Sequence, residues 1–288
     1  MAFLAIVVQH RAREKRARQP FPAPASRIPR STNPCDNTRV NPWLIATPTV
    51  LTAGAGLTAY AARHPRAQLF GPVVSYTNSP RKLAITFDDG PNPSITPQFL
   101  DLLTRYDARA TFFLIGRYAR ECPSLVRELV ARGHVAGNHT QTHVNLFRTG
   151  PSHTRDELRR CQDSIAAASG IAAPPKWFRP PWGLRSPWLG SAVSELGLRA
   201  VMWSLLPGDW RAPSDQWLID RTAPIAERAQ HAAAKSVGDI LCIHDGSHDR
   251  QNADRTHTLA ALAYWLPRWR DLGLEFVTIE EAVSTPAL

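Results

Sequence analysis

An α/β fold with parallel strands is predicted by two features of residues 83–284. Short apolar runs alternate with helical stretches, the latter over 97–106, 123–132, 154–169, 187–196, 216–234 and 256–272. The most distinctive apolar runs end in polar residues, so chemistry-bearing groups collect at strand ends and in the loops after them, as they do in a (β/α) barrel. Periodicity by itself is equally compatible with a doubly wound sheet.

The first run, Leu83-Ala84-Ile85-Thr86-Phe87, reads as a buried strand, and Asp88-Asp89-Gly90-Pro91 breaks it with turn-forming residues. Adjacent side chains at a strand end diverge, so one aspartate can bind a divalent ion while the other takes a proton from water. About fifty residues later comes Gly137-Asn138-His139-Thr140-Gln141-Thr142-His143. Histidines four apart share one face if the segment is helical, which lets two imidazoles meet one ion. Two nitrogens and a carboxylate leave coordination positions open, the pattern of a catalytic and not a closed structural site. Taken alone, Asp-Asp-Gly-Pro is ordinary turn chemistry and His-x-x-x-His is usually a surface coincidence. Three further segments change that reading: Trp177-Phe178-Arg179-Pro180-Pro181-Trp182-Gly183, Trp203-Ser204-Leu205-Leu206-Pro207-Gly208-Asp209-Trp210 and Ile240-Leu241-Cys242-Ile243-His244-Asp245-Gly246.

With these five segments in order, and Gly273-Leu274-Glu275-Phe276-Val277-Thr278-Ile279 closing the chain, residues 68–284 closely resemble the polysaccharide deacetylase family, also called the NodB-homology or carbohydrate esterase family 4 domain. The resemblance implies a distorted, incomplete (β/α) barrel of about seven strands. It implies Asp88 as general base, Asp89, His139 and His143 as metal ligands, and Arg179 as the partner of the base. His244 takes the place of the general acid and Asp209 that of the carboxylate orienting it. Trp182, which follows Pro180 and Pro181, stands where the family often has tyrosine, and its main-chain N–H would help hold the oxyanion. Trp210 and Leu241 would wall the pocket for the acetyl methyl group. One departure is Leu206, where an earlier aspartate of the fourth motif is expected; since Asp209 is retained, altered tuning is expected and not loss of activity.

The same chemistry follows from the residues. An amide carbonyl is a poor electrophile, so its hydrolysis needs polarisation by a cation, a nucleophile at neutral pH and protonation of the departing amine. Asp88 can accept the proton of the attacking water while Arg179 favours its ionised form. His244 can protonate the leaving nitrogen if Asp209 keeps it cationic. The expected cofactor is one divalent ion, zinc before cobalt, nickel or manganese. His10, His64, His134, His153, His231 and His257 read as surface or ordinary hydrogen-bonding residues; His248, four after His244 in a polar loop, is the exception. Of the tryptophans only Trp182 and Trp210 argue for the site, whereas Trp188, Trp203, Trp217, Trp265 and Trp269 read as packing.

A chain of 288 residues, 43% hydrophobic, suffices for one substantial core, and no second folded domain is required. The formal charge of +10 raises the question of a nucleic-acid partner, but residues 1–66 hold ten Lys/Arg against two Asp/Glu, a net +8, leaving 24 against 22 in residues 67–288. Basicity therefore belongs to a leader, and the catalytic region at 67–288 carries no cationic signature for nucleic acid. Within the leader, residues 40–62 carry no charge and are long enough to cross a membrane, with basic residues before them; Ala59-Tyr60-Ala61 has the form of a signal-peptidase site. Export to the cell envelope or medium, cleaved or anchored, is expected. Four cysteines show no zinc spacing; Cys122 and Cys161 could pair after export, and Cys242 reads as buried packing. The expected activity is a monomeric N-deacetylase acting on N-acetylated amino sugars of peptidoglycan or chitin type. An acetylxylan O-esterase, a small cyclic amidase and an inactive carbohydrate-binding relic are the alternatives.

Overall fold

The computed structural model describes residues 54–171 and 173–284. Residues 54–63 are helical (α1), and two short strands follow, β1 (Val73–Val74) and β2 (Tyr76–Thr77). Then come β3 (Lys82–Gly90), α2 (Thr96–Arg105), β4 (Thr111–Leu114), α3 (Gly116–Glu121), α4 (Pro123–Ala131), β5 (Val135–Asn138), α5 (Pro151–Ser169) and β6 (Trp177–Phe178). The remainder is α6 (Leu189–Glu195), β7 (Arg199–Val201), α7 (Asp215–Thr222), α8 (Pro224–Gln230), β8 (Gly238–His244), α9 (Thr256–Asp271), β9 (Glu275–Val277) and α10 (Ile279–Val283).

Seven strands lie mutually parallel in the order β1-β7-β6-β5-β4-β3-β8, with β2 antiparallel on β8 and β9 parallel beside the start of β3. The ring nearly closes through the chain after β7: Ser204 and Leu205 donate to the Ile240 carbonyl and Leu205 accepts from Cys242 N–H. This is the distorted, incomplete barrel that the resemblance implies.

Side-chain alternation on the central strands sets two cores. Leu83, Ile85 and Phe87 of β3 and Leu241 and Ile243 of β8 enter the layer beneath the helices. Ala84 and Ile240, with Phe113, Trp177 and Val201, fill the barrel interior. Thr86, Asp88, Cys242 and His244 continue that inward face toward the strands' C-terminal ends.

The helices agree with the predicted stretches except at 216–234. There Pro224, which has no N–H to continue an α-helix, opens α8 immediately after α7 ends, and a 3-10 turn covers Ala232–Ala234. Proline in the first turn also starts α2, α4 and α5, where its fixed φ suits a helix start. The short α3 and α10 carry too few residues for a periodic signal; α10 is set by a capping box between Thr278 and Glu281.

Residues 1–53, including most of the uncharged segment 40–62, lie outside the described residues. No helix among the described residues is long and apolar enough to cross a membrane. Residues 61–67 pack onto the barrel through Arg185, which is 1% exposed. Its guanidinium donates to the carbonyls of Ala61, His64 and Ala67 at 2.5–2.8 Å, and its N–H to Ala62. The catalytic body therefore takes in residues that the sequence assigns to the leader. Arg185→Ala would strand these carbonyls away from water, and a loss of about 3 kcal/mol in unfolding free energy is expected, read from the denaturant midpoint. A midpoint within error of the parent chain would refute the role. Among the described residues Cys122 and Cys161 form no disulfide: Cys161 donates to Leu114 O, and Cys122 accepts from Gln251.

Candidate metal centre and catalytic cleft

A cleft of about 550 Å³ opens at the C-terminal ends of the strands, and Asp88, Asp89, His139, His143, Cys242 and His244 all line it. Asp88 and Asp89 close β3. Asp89 adopts a left-handed backbone, φ 70°, which turns its carboxylate away from that of Asp88. A non-glycine residue at such a φ stores strain, and the surroundings must hold it there. They do so through Gly246, which sits so close that a Cβ there would collide with the Asp89 carbonyl.

His139 and His143 follow β5 on a loop, so the helical condition under which i, i+4 residues share a face is not met. Left-handed conformations at Thr140 (φ 65°) and His143 (φ 59°) fold the loop so that the two rings lie 5.0 Å apart. Buried Glu157 of α5 holds it, accepting from the Thr142 N–H and hydroxyl at 2.9 and 3.0 Å, while Thr140 and Gln141 carbonyls accept from the first N–H groups of α3.

Asp89 Oδ1 stands 3.1 Å from His143 Nε2 and 3.5 Å from His139 Nε2, and all three residues are buried. His139 Nδ1 is hydrogen-bonded to the Arg179 carbonyl at 2.8 Å, which leaves its Nε2 for the cluster. Among the described residues Asp89 Oδ1 has no hydrogen-bond partner, an otherwise costly state for a buried carboxylate oxygen. Donor atoms around an ion with bonds near 2.1 Å lie roughly 3–3.5 Å apart, so this triad fits a divalent cation. Burial alone would raise the Asp89 carboxyl, but the imidazoles of His139, His143 and His248 outweigh it and hold it well below the usual range. Burial lowers His143 to about 4, keeping it neutral as a metal ligand must be.

Asp88 faces a different set. Arg179, fully buried, donates to Asp88 Oδ1 at 2.8 Å and to Thr86 Oγ1 at 2.7 Å, and its other nitrogens donate to the carbonyls of Val201 and Met202. The Cys242 thiol donates to Asp88 Oδ2 at 3.3 Å. Across the strand pair, His244 Nδ1 meets Asp209 Oδ1 at 2.9 Å, while Asp209 Oδ2 accepts from the His244 N–H and from Thr258. Burial would lower His244, but the Asp209 charge and hydrogen bond prevail, helped by Asp89 and Asp88, and raise it to about 9.

The cleft walls differ in part from expectation. Trp182 and Trp210 are half exposed at the mouth, Trp182 edge-on to His143 and Trp210 edge-on to His244. Trp203, read as packing, lines the cleft, as does Leu206. Leu241 does not: it is 1% exposed and points outward among Leu218, Thr258 and Trp265, because alternate residues of β8 face opposite sides. Cys242 takes the inward place. Pro180 is buried beneath the mouth and is not part of the lining. His248, the flagged exception, stacks on His143 at 4.4 Å with Nδ1 3.9 Å from Asp89 Oδ2. A buried network was missed altogether: Asn92 donates to the Asp245 and Ala253 carbonyls and to Thr96 Oγ1 through its N–H, and Thr96 donates to Asp245 Oδ2. Burial pushes Asp245 up to about 7. The network ties the loop after Asp89 to the loop after His244, and only its turn-forming residues showed in sequence.

A parallel barrel whose strand ends gather an ion cradle, an arginine-paired carboxylate and a carboxylate-paired imidazole has the layout of a metal-dependent hydrolase. The sequence model of the polysaccharide deacetylase family matches residues 75–201. A chitooligosaccharide deacetylase of Bradyrhizobium sp. is 37% identical over 201 residues, 68% of this chain and 87% of that protein. A peptidoglycan-N-acetylglucosamine deacetylase of Bacillus cereus is 35% identical over 206 residues, 71% and 89% of the two chains. The structure of a family 4 carbohydrate esterase from Streptomyces lividans in complex with acetate matches with a TM-score of 0.60 at 30% identity, covering 73% of this chain and 100% of that one. The chain belongs to the polysaccharide deacetylase family.

Proposed function

We propose that this chain hydrolyses the N-acetyl groups of amino sugars in a peptidoglycan- or chitin-type glycan, releasing acetate. The observation that carries the reading is the convergence, in one cleft, of the Asp89–His139–His143 cradle with an Arg179-paired carboxylate and an Asp209-paired imidazole. The names of the relatives, which act on chitooligosaccharides and on peptidoglycan, support the substrate class.

Asp89, His139 and His143 would hold the ion, zinc in the first place by their neutral-nitrogen and carboxylate chemistry, with cobalt, nickel or manganese as substitutes. When bound, it supplies Lewis acidity to the acetamide carbonyl and lowers the pKa of water. Asp88 accepts a proton from the attacking water through its carboxylate, which the Arg179 hydrogen bond holds and aims. The Trp182 main-chain N–H would help hold the developing oxyanion, the role that the family resemblance gives it. His244, cationic below about 9, donates its proton to the departing amine nitrogen. Leu206 and Trp210 give the acetyl methyl group an apolar wall. The exposed indoles of Trp182 and Trp210 suit stacking on sugar rings. The cell envelope or its exterior is where a glycan substrate of peptidoglycan type resides, so an exported enzyme is the corresponding cellular form, with an export or anchor segment in 40–62 whose last residues, Ala61 and Ala62, pack onto the barrel.

The test is acetate release by the metal-loaded chain from chitooligosaccharides, peptidoglycan and acetylxylan side by side. Release from one or both N-acetylated glycans is expected. Release from acetylxylan alone would make the enzyme an O-esterase, and release from none would overturn the reading.

A further inference from the structure

We propose that Asp88, Cys242 and His244 form a second cation site, selective for thiophilic ions, that shuts the enzyme off by occupying its base and acid together. β3 and β8 are neighbours in the sheet, with Asp88 directly opposite His244. Cys242, two residues before His244, shares its inward face. One ligand atom from each of the three lies within 4.8 Å of the others, and Cys242 Sγ is 3.3 Å from Asp88 Oδ2.

The surrounding bonds leave the right atoms free. Arg179 occupies Asp88 Oδ1, so Oδ2 turns to the thiol. Asp209 occupies His244 Nδ1, so Nε2 is left for the cleft. All three residues line the open cavity, which gives an ion from solvent a path to them. Bonds of about 2.0–2.3 Å put tetrahedral donor atoms roughly 3.3–3.8 Å apart, so the group closes on an ion with a shift of about 1 Å.

The two cradles differ in softness. Asp89, His139 and His143 offer one oxygen and two nitrogens, whereas the second group replaces a nitrogen by sulfur, and thiolates select soft ions. Binding forms metal–sulfur and metal–nitrogen bonds and releases two protons to solvent, one from the Cys242 thiol and one from Nε2 of the His244 cation, so the third ligand is neutral imidazole and thiolate and Asp88 carboxylate together balance a divalent charge. The other described cysteines lack this setting: neither Cys122 nor Cys161 belongs to a metal-holding group among the described residues. Since Asp88 and Asp89 are sequence neighbours, two cations repel, and the second site fills only at ion concentrations above those that fill the first.

The inhibitory consequence rests on the functional reading above, but ion binding does not. Cadmium is therefore titrated into the zinc-loaded full chain carrying Cys35→Ser and Cys122→Ser, and the ultraviolet thiolate-to-cadmium charge-transfer band is followed alongside acetate release. A saturable band is expected, lost in Cys242→Ser, with turnover falling in step with it. His244→Ala, which keeps the thiol, should weaken cadmium binding at least tenfold and carries the test if Cys242→Ser does not fold. Absence of the band, its persistence in Cys242→Ser, or unchanged affinity in His244→Ala would overturn the site; a saturated band with undiminished turnover would overturn its inhibitory role. A chain without any deacetylase activity would still show the band, which separates the two readings.

Discussion

Asp88→Asn is expected to leave the metal content unchanged and to lower turnover by roughly 10²- to 10⁴-fold, the range of a lost general base. The geometry divides the adjacent pair. Asp89 Oδ1 is the oxygen within reach of both imidazoles, whereas Asp88 is held by Arg179 and the Cys242 thiol. An asparagine at 88 can still accept from Arg179 through its amide oxygen, so the buried guanidinium is not left wholly unpaired, but the group no longer takes a proton. Asp89→Ala should behave differently, losing the ion and the activity together, since two histidines remain as the only ligands. Elemental analysis of the purified variants beside acetate release decides the matter. An Asp88→Asn chain stripped of metal would reverse the assignment within the pair.

Asp209→Asn should move the alkaline limb of the pH–rate profile to lower pH and reduce maximal turnover by on the order of a hundredfold or more. The sign follows from the protonation state that works. His244 must be cationic to donate its proton, so activity is present below its value of about 9 and falls as pH rises through it. Burial pulls that value down and the Asp209 carboxylate holds it up, with smaller help from Asp89 and Asp88. Asparagine keeps the shape and an acceptor for His244 Nδ1 while removing the charge, so burial prevails and the imidazole deprotonates earlier. Leu206 sharpens the test, because the fourth motif offers no second carboxylate on the cleft wall. An unchanged alkaline limb would mean that His244 is not the titrating acid.

The residue types and their order along the chain were enough to define much of this protein. Asp88 and Asp89 were legible because an apolar strand ends abruptly in carboxylates, and Arg179, Asp209 and His244 because each closes or follows a similar apolar run. The parallel alternation was legible because strands and helices bury different periods of the chain. His139 and His143 were legible as a pair but not as a loop, since the left-handed conformations of Thr140 and His143 are imposed by Glu157 and α3 from distant sequence. The 216–234 stretch broke for a local reason that was visible, Pro224.

Which side chains face the cleft was a different matter. β8 is buried on both faces, so Ile240 to Ile243 read as one continuous apolar run, with no alternation to tell Leu241 from Cys242. Only the pairing with β3, Thr86 beside Cys242 and Asp88 beside His244, turns the cysteine inward and the leucine out. The same holds for Trp203, Asp245 and the Arg185 contacts with residues 61–67, each of which depends on segments tens of residues away. Sequence by itself determined the fold class, through the order of its motifs and the family they resemble, and named the candidates for the ion cradle and the acid–base pair, because strand-end chemistry and local order carry them. The tertiary structure alone decided the walls of the cleft and the side chains behind the catalytic groups, because facing in a doubly buried strand is a property of its neighbours.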